Sequence, residues 1–396
     1  MNLMNAHLPE DLIWEILLWL PGRLLLLLRT VCRSWNSFIS SHEFVMHHHQ
    51  RSTQPRLVYC SLESEGMDIM QCSVSSLLYN QLQPTRIDPL QIKYKSIQGS
   101  CNGLLCLCEG LPYKNLTLFN PCTRWVSLIV PFKYPHGDDR HPVFCGLGYD
   151  ALRNKYKFVT CSKISGGLGS RAIVCTLEAN PSWKTVDHPM FPYFTWCHSG
   201  TFVSGTLNWI AHDPSKNHDP FRVLEYFILT FELITESFGR LRLPKNNHTH
   251  PGFFGRLRNH THRGFHEDVP SLHVLKNFLS VCFHPAYDNT AAYTIWIMKE
   301  YGVEKSWTIV LRIPFNGRII TPGNWLEPLY MSEDYILLAY GEFYRGKLLV
   351  YNFRKREVVH PMIDISSDSL SIYPLSKFSY GKFFHVYHES LVSYFP

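Results

Sequence analysis

Charge is scarce in this chain: only 18% of its 396 residues are Asp, Glu, Lys or Arg, against about a quarter in an average soluble domain. Disordered chains and coiled coils are rich in charge, and collagen needs Gly at every third position, so those classes are excluded. No run of basic residues occurs, and the 38 Lys and Arg exceed the 32 Asp and Glu by only 6. A nucleic-acid-binding stripe, which must neutralise several phosphates at once, is therefore not expected. Three Arg face four acids in the first fifty residues, so the small positive excess lies beyond them. Gly166-Gly-Leu-Gly169 lacks the Lys-Ser/Thr that a phosphate loop requires and reads as a flexible turn.

What the chain has instead is apolar and aromatic. It is 45% hydrophobic, with 10 Trp, 25 Phe and 21 Tyr set among 25 Pro and 23 Gly. That composition suits short strands cut by turns, and the length fits two or three domains, or one large all-β domain with a small companion. The 12 Cys are widely spread and follow no secretory leader, so reduced, mostly buried thiols and a cytoplasmic or nuclear location are expected. The sequons at Asn115, Asn247 and Asn259 are then irrelevant.

Leu12 to Val31 is apolar enough to suggest a signal peptide or a membrane span. Glu10 and Asp11 stand where a signal peptide wants positive charge, however, and Glu15, Arg23 and Arg29 with Pro21 are costly in hydrocarbon. The spacing fits short helices better. Leu12, Ile16 and Leu20 recur every four residues beside Ile13 and Leu17, Pro21-Gly22 breaks the run, Leu24 to Arg29 supply a second helix, and Val31, Trp35, Phe38 and Ile39 stripe a third. A unit this small does not bury its own apolar surface, so it covers that surface with a partner protein or with the remaining chain.

Leu8-Pro-Glu-Asp-Leu-Ile-Trp-Glu-Ile-Leu-Leu-Trp-Leu-Pro21 followed by Val31-Cys-Arg-Ser-Trp-Asn-Ser-Phe-Ile39 resembles an F-box, in its plant form. The sequence departs from that pattern in the middle helix, at Gly22, Leu24 and Leu27. The resemblance implies docking on a Skp-type adaptor of a cullin-RING ubiquitin ligase. Carried over residue by residue, the contacts are Leu8, Pro9, Leu12, Ile13, Ile16, Leu17, Leu20, Pro21, Leu25, Leu28, Val31 and Cys32, while Trp35 packs the third helix on the others.

Beyond Arg51 the helical period fades and a strand-turn-strand pattern recurs five times, each copy closing on a proline. The copies run over Leu116–Pro131, Ile173–Pro189, Tyr226–Pro244, Tyr293–Pro314 and Leu348–Pro361. Their prolines stand 58, 55, 70 and 47 residues apart, and Trp125, Trp183, Phe238 and Trp307 precede the first four. A period of about 50 with about four strands per unit is a propeller signature. Each unit is expected to open on a buried run, such as Gly103–Leu107, Phe144–Tyr149 or Tyr335–Tyr340, with glycines close to the central axis. Two incomplete strand-like ends remain. The economical closure pairs Lys382–Tyr387 with Arg56–Ser61 in a shared sixth blade, and a looser pair of packed sheets is the alternative.

Gly99-Ser-Cys-Asn-Gly-Leu-Leu-Cys-Leu107, Leu118-Phe-Asn-Pro-Cys-Thr-Arg124, Gly146-Leu-Gly-Tyr-Asp150 with Lys155-Tyr-Lys157, and Ser306-Trp307 together resemble the F-box-associated (type 1), kelch-like domain of plant F-box proteins. The expected architecture is therefore mainly β with a small α domain: a three-helix F-box over 1–50, then a kelch-like β-propeller of about six blades over 51–396.

Other chemistry is weaker. Gly99–Gly103 has the spacing of a nucleophile elbow, but a strand and not a helix follows it. Cys101, Cys106 and Cys108 lack the two pairs of ligands of a structural zinc site. His42 and His47 stand five apart, where a metalloprotease helix needs four, and His47-His-His49 reads as a polar linker. The duplicated Asn247–Phe253 and Asn259–Phe265 form a histidine-rich insertion with surface, partner-contact and metal readings open.

The resemblance then implies a non-enzymatic substrate receptor with no metal or other cofactor, bound through a Skp adaptor to cullin and RING subunits and holding a protein substrate on the propeller. The alternative is a propeller enzyme or glycan-binding module whose helical head only packs on the ring. That reading needs a convergent polar pocket at the channel.

Overall fold

A computed structural model describes residues 8–51, 55–63, 66–79, 85–87, 96–109, 114–134, 144–163, 170–186, 198–212, 226–245, 270–283, 292–314, 325–342, 345–364 and 384–392. Pro189, Gly166–Gly169 and both copies of the histidine duplication lie outside them.

Six sheets form the six blades of a propeller, their strands antiparallel except that the short strand His198–Ser199 runs parallel beside Phe144–Asp150. Blade 1 combines Pro55–Glu63, Gly66–Ser73 and Thr85–Arg86 with Phe384–His388 from the far end of the chain. Blade 2 begins at Ser96–Cys101, blade 3 at Phe144–Asp150, blade 4 at Thr201–Val203, blade 5 at Ser271–Leu275 and blade 6 at Trp325–Met331. These first strands line the axis. Each touches the first strand of the next blade, and the circuit closes where Phe384–His388 lies between those of blades 6 and 2. The expected closure is present: Tyr59 pairs with Phe384, Arg56 with Tyr387 and Pro55 with His388, which removes two exposed edges.

The near-continuous apolar runs have a simple cause, because each blade is buried on both faces. Successive side chains of a strand point to opposite faces. Leu337 accordingly enters the seam between blades 6 and 1, while Ile336 and Leu338 enter the seam between blades 5 and 6. Leu57 and Val58 divide in the same way between the two seams of blade 1. Trp125, Trp183, Phe238 and Trp307 sit on outer strands and cover the seams from outside.

The expected unit boundary shifts by one strand. Gly103–Leu107 and Tyr335–Tyr340 belong to second strands, whereas Phe144–Tyr149 opens its blade. Asn102 and Gly103 carry φ of 49° and 78°, Ser204 and Gly205 50° and 75°, and Lys276 and Asn277 49° and 65°. Two successive positive φ angles mark two-residue hairpins whose twist matches the strands they join. The elbow-like Gly99–Gly103 is therefore a hairpin. Of the expected axial glycines, Gly103 and Gly205 serve these turns, whereas Gly146 packs near the axis, where a Cβ would stand 3.0 Å from Leu207.

Four helices precede the ring: α1 (Glu10–Leu18), α2 (Gly22–Leu28), α3 (Arg33–Ser40) and α4 (His42–Arg51). The fourth corrects the expected polar linker. Its Phe44, Val45 and His48 are buried, because Phe44 meets Trp14 at 5.1 Å between ring centroids and His48 Nε2 hydrogen-bonds the Leu20 carbonyl at 2.8 Å. Burial lowers the His48 ring, and burial with His388 beside it lowers His49 to about 4, so both pack as neutral rings. Among the described residues no helix is long and apolar enough to cross a membrane.

Candidate functional site

The helices have one face on the ring and one on solvent. Leu17, Leu18, Leu25, Ile39, Phe44 and Val45 share a single core with Cys101, Cys106, Leu116 and Leu147 of blades 2 and 3 and with Leu391 and Val392 of the C-terminal tail. At the close approach of α2, a Cβ on Gly22 would lie 2.9 Å from Cys122 Sγ and 3.7 Å from Leu391. Only a glycine lets α2 sit this deep, which accounts for one of the departures from the F-box pattern.

The motif residues of the ring hold the tail that supports this face. Asn120 is fully buried, and its Nδ2 donates to the carbonyls of Ser390 (3.0 Å) and Val392 (2.6 Å). Its Oδ1 accepts from the backbone N–H of Cys122 (2.8 Å) and Thr123 (3.3 Å). A Cβ at Gly103 would stand 2.7 Å from the His388 carbonyl oxygen, and Arg56 pairs with the buried Glu389. The second motif is an ion-pair clamp. Buried Lys157 bridges Asp150 and Glu236, each at 2.8 Å, joining blade 3 to the outer turn of blade 4. Burial alone would raise the Asp150 carboxyl, but hydrogen bonds from Lys157 and Arg153 outweigh it and hold the group below its ordinary value.

On the solvent side, Leu8 (50% exposed), Leu12 (52%) and Ile16 (53%) form one row at four-residue spacing, and Val31 is 61% exposed. Pro9, Pro21 and Cys32 are exposed, while Ile13, Leu20 and Leu28 are half-buried. The structure corrects two of the twelve expected contacts: Leu17 (2%) and Leu25 (0%) face the ring and set the docking of the helices. Three exposed residues extend the patch beyond the expected set: Trp19 (72%), Leu24 (41%) and Leu27 (66%). Trp19 continues the α1 row three residues past Ile16, a spacing visible in the sequence. Leu24 and Leu27 are two of the departures from the pattern, and here they enlarge the apolar surface. Trp35 packs against the core as expected.

Half of the fourteen large, exposed hydrophobic side chains among the described residues lie between Leu8 and Val31, so this is where the molecule concentrates apolar surface. Chemistry elsewhere is muted. Cys101, Cys106 and Cys108 all enter the seam core beside blade 3, and burial pushes their thiols up, so they are protonated packing groups. Along the axial strands polar groups bond one another: Cys145 Sγ donates to Gln98 Oε1 at 3.0 Å and Ser199 Oγ to the Gln98 carbonyl at 2.5 Å.

Residues 6–47 match the family model of the F-box domain, and residues 57–394 match that of the F-box associated beta propeller domain. An F-box/kelch-repeat protein of Arabidopsis thaliana is 26% identical over 371 residues, covering 90% of each chain. A second Arabidopsis thaliana F-box protein is 27% identical over 361 residues, covering 83% of this chain and 79% of its own. Among solved structures the likeness is remote: a post-proline cleaving enzyme from Rickettsia typhi gives a TM-score of 0.38 at 8% identity, over 81% of this chain and 54% of that one. With a helical head matching one family model and a ring matching the other, the chain belongs to the F-box proteins that carry an F-box-associated β-propeller.

Proposed function

We propose that this chain is the substrate-recognition subunit of an SCF-type cullin-RING ubiquitin ligase, acting in the cytoplasm or nucleus. The observation that carries the reading is the apolar row Leu8, Leu12, Ile16 and Trp19 with Leu24, Leu27 and Val31, displayed on helices whose opposite face is built into the ring core. A Skp-type adaptor covers that row and links the chain to cullin and RING subunits. The propeller holds a protein substrate.

The mechanism is proximity. A substrate tethered on a rigid ring, beside a charged ubiquitin-conjugating enzyme, presents its lysines at a high effective concentration, and the receptor contributes orientation without a catalytic residue. On this reading the shared core of helices and ring is functional, because a loose hinge between them would dilute that effective concentration.

Co-purification with a Skp adaptor tests the reading: the intact chain is retained, and Leu8→Ala with Pro9→Ala reduces retention at least tenfold. Folded, intact protein that is never retained overturns it. Proximity labelling under proteasome inhibition then identifies the substrate as a protein enriched by the intact chain.

A further inference from the structure

A cleft of about 320 Å³ opens where α2 meets the ring, and three separate parts of the chain build it. Arg23 and Leu26 come from α2, Gln71 and Ile87 from blade 1, and Pro121 to Arg124 from the outer turn of blade 2. No carboxylate lines it among the described residues. Arg23 has no ion-pair partner among them either. The nearest charges are unbalanced: Cys122 in the wall feels Arg23, Arg29 and Arg56 against Glu389 alone, and Glu389 is already committed to Arg56.

The polar groups of the cleft are donors. The Gln71 side-chain carbonyl accepts from the Tyr387 hydroxyl at 3.2 Å, which leaves its NH2 for a ligand. The hydroxyl oxygen of Thr123 accepts from the Trp125 N–H at 3.3 Å, which leaves its proton for a second acceptor. Arg23 and Arg124 line the cleft with them. Guanidinium forks paired with amide and hydroxyl donors suit the oxygens of a phosphoryl group, where charge-assisted bonds are strongest. Leu26, Ile87 and Pro121 supply an apolar wall beside these donors, and the volume lies at the low end of small-molecule sites.

We propose that this junction cleft binds a small organic phosphate ester, its phosphoryl group held by Arg23 and Arg124 and its carbon skeleton laid against Leu26, Ile87 and Pro121. A ligand there touches the helical head and two blades at once, so its occupancy strengthens the joint between the adaptor-facing helices and the ring.

The test uses the full chain, with phenyl phosphate and inorganic phosphate as probes at constant ionic strength. Calorimetric titration is expected to show saturable binding of phenyl phosphate, tighter than that of inorganic phosphate, and a matching rise in melting temperature. Arg23→Ala and Arg124→Ala each weaken binding at least tenfold, and Arg23→Lys weakens it less. Arg354→Ala, a change of an exposed arginine on blade 6, leaves it unchanged. Absence of saturable binding, or equal binding by all the variants, overturns the proposal.

Discussion

Replacing Asn120 by Ala tests how the ring, the C-terminal tail and the helical head are joined. The side chain is fully buried and makes four hydrogen bonds to backbone groups, two to tail carbonyls and two from its own turn. At about 1 kcal/mol net for each bond, with the abandoned carbonyls and amides left partly without water, the expected loss is about 3–4 kcal/mol. Asn120→Asp fares no better, because it sets a carboxylate oxygen against the carbonyls of Ser390 and Val392. Ser390→Ala is the contrasting change. Its hydroxyl makes only weak contacts, at 3.4 Å from Asn120 Nδ2 and 3.3 Å from the Val392 N–H, so its removal costs under about 1 kcal/mol. Urea unfolding followed by tryptophan fluorescence measures both, and limited proteolysis reports whether the tail has come free. A loss below about 1 kcal/mol in Asn120→Ala, or a tail equally protected in both variants, refutes the tail-pin reasoning.

Further expectations follow from other contacts. Gly22→Val forces a branched side chain against Cys122 and should lower stability by about 1–3 kcal/mol, and Cys122→Ala should recover part of it; additive effects in a double-mutant cycle would contradict the close approach. Lys157→Met leaves Asp150 buried with Arg153 as its remaining cationic partner, so a loss of about 3–5 kcal/mol is expected by urea unfolding. The fold holds His49 at about 4, below the ordinary 6.5, so its contribution is fully present above about pH 6.5 and is lost as pH falls toward 4. Unfolding midpoints measured across that range should fall for the native chain and fall less for His49→Gln.

Sequence and structure agree where the signal is local or where topology leaves little choice. The apolar spacing of Leu12, Ile16 and Leu20 is enough to place a helix, and two incomplete strand runs at opposite ends can close a ring only by pairing. The misreadings have physical causes. Leu17 and Leu25 sit on amphipathic helices with two apolar sides, and nothing local distinguishes the side that meets the ring from the side left to a partner. The helix α4 is polar enough to resemble a linker because His48, buried, and His49, half-buried, pack as neutral rings, a state set by their surroundings. The shift of unit boundaries was legible at Asn102-Gly103, a strong hairpin signal, but less so at Lys276-Asn277, where neither residue is glycine. Asn120 illustrates what a single sequence withholds. It reads as an ordinary turn residue before proline, while its main partners are 270 and 272 positions away.

The central claim is that one apolar row on an otherwise integrated molecule is the adaptor-docking surface, and calorimetric titration of the purified chain with a Skp-type adaptor addresses it most directly. Saturable binding is expected for the native chain. Leu12→Asp and Ile16→Asp should weaken it about 100-fold or more, since each puts a charge into a desolvated contact while changing a side chain that is half exposed in the free protein. Undiminished binding by both variants, with circular dichroism and melting temperature unchanged, would contradict the account.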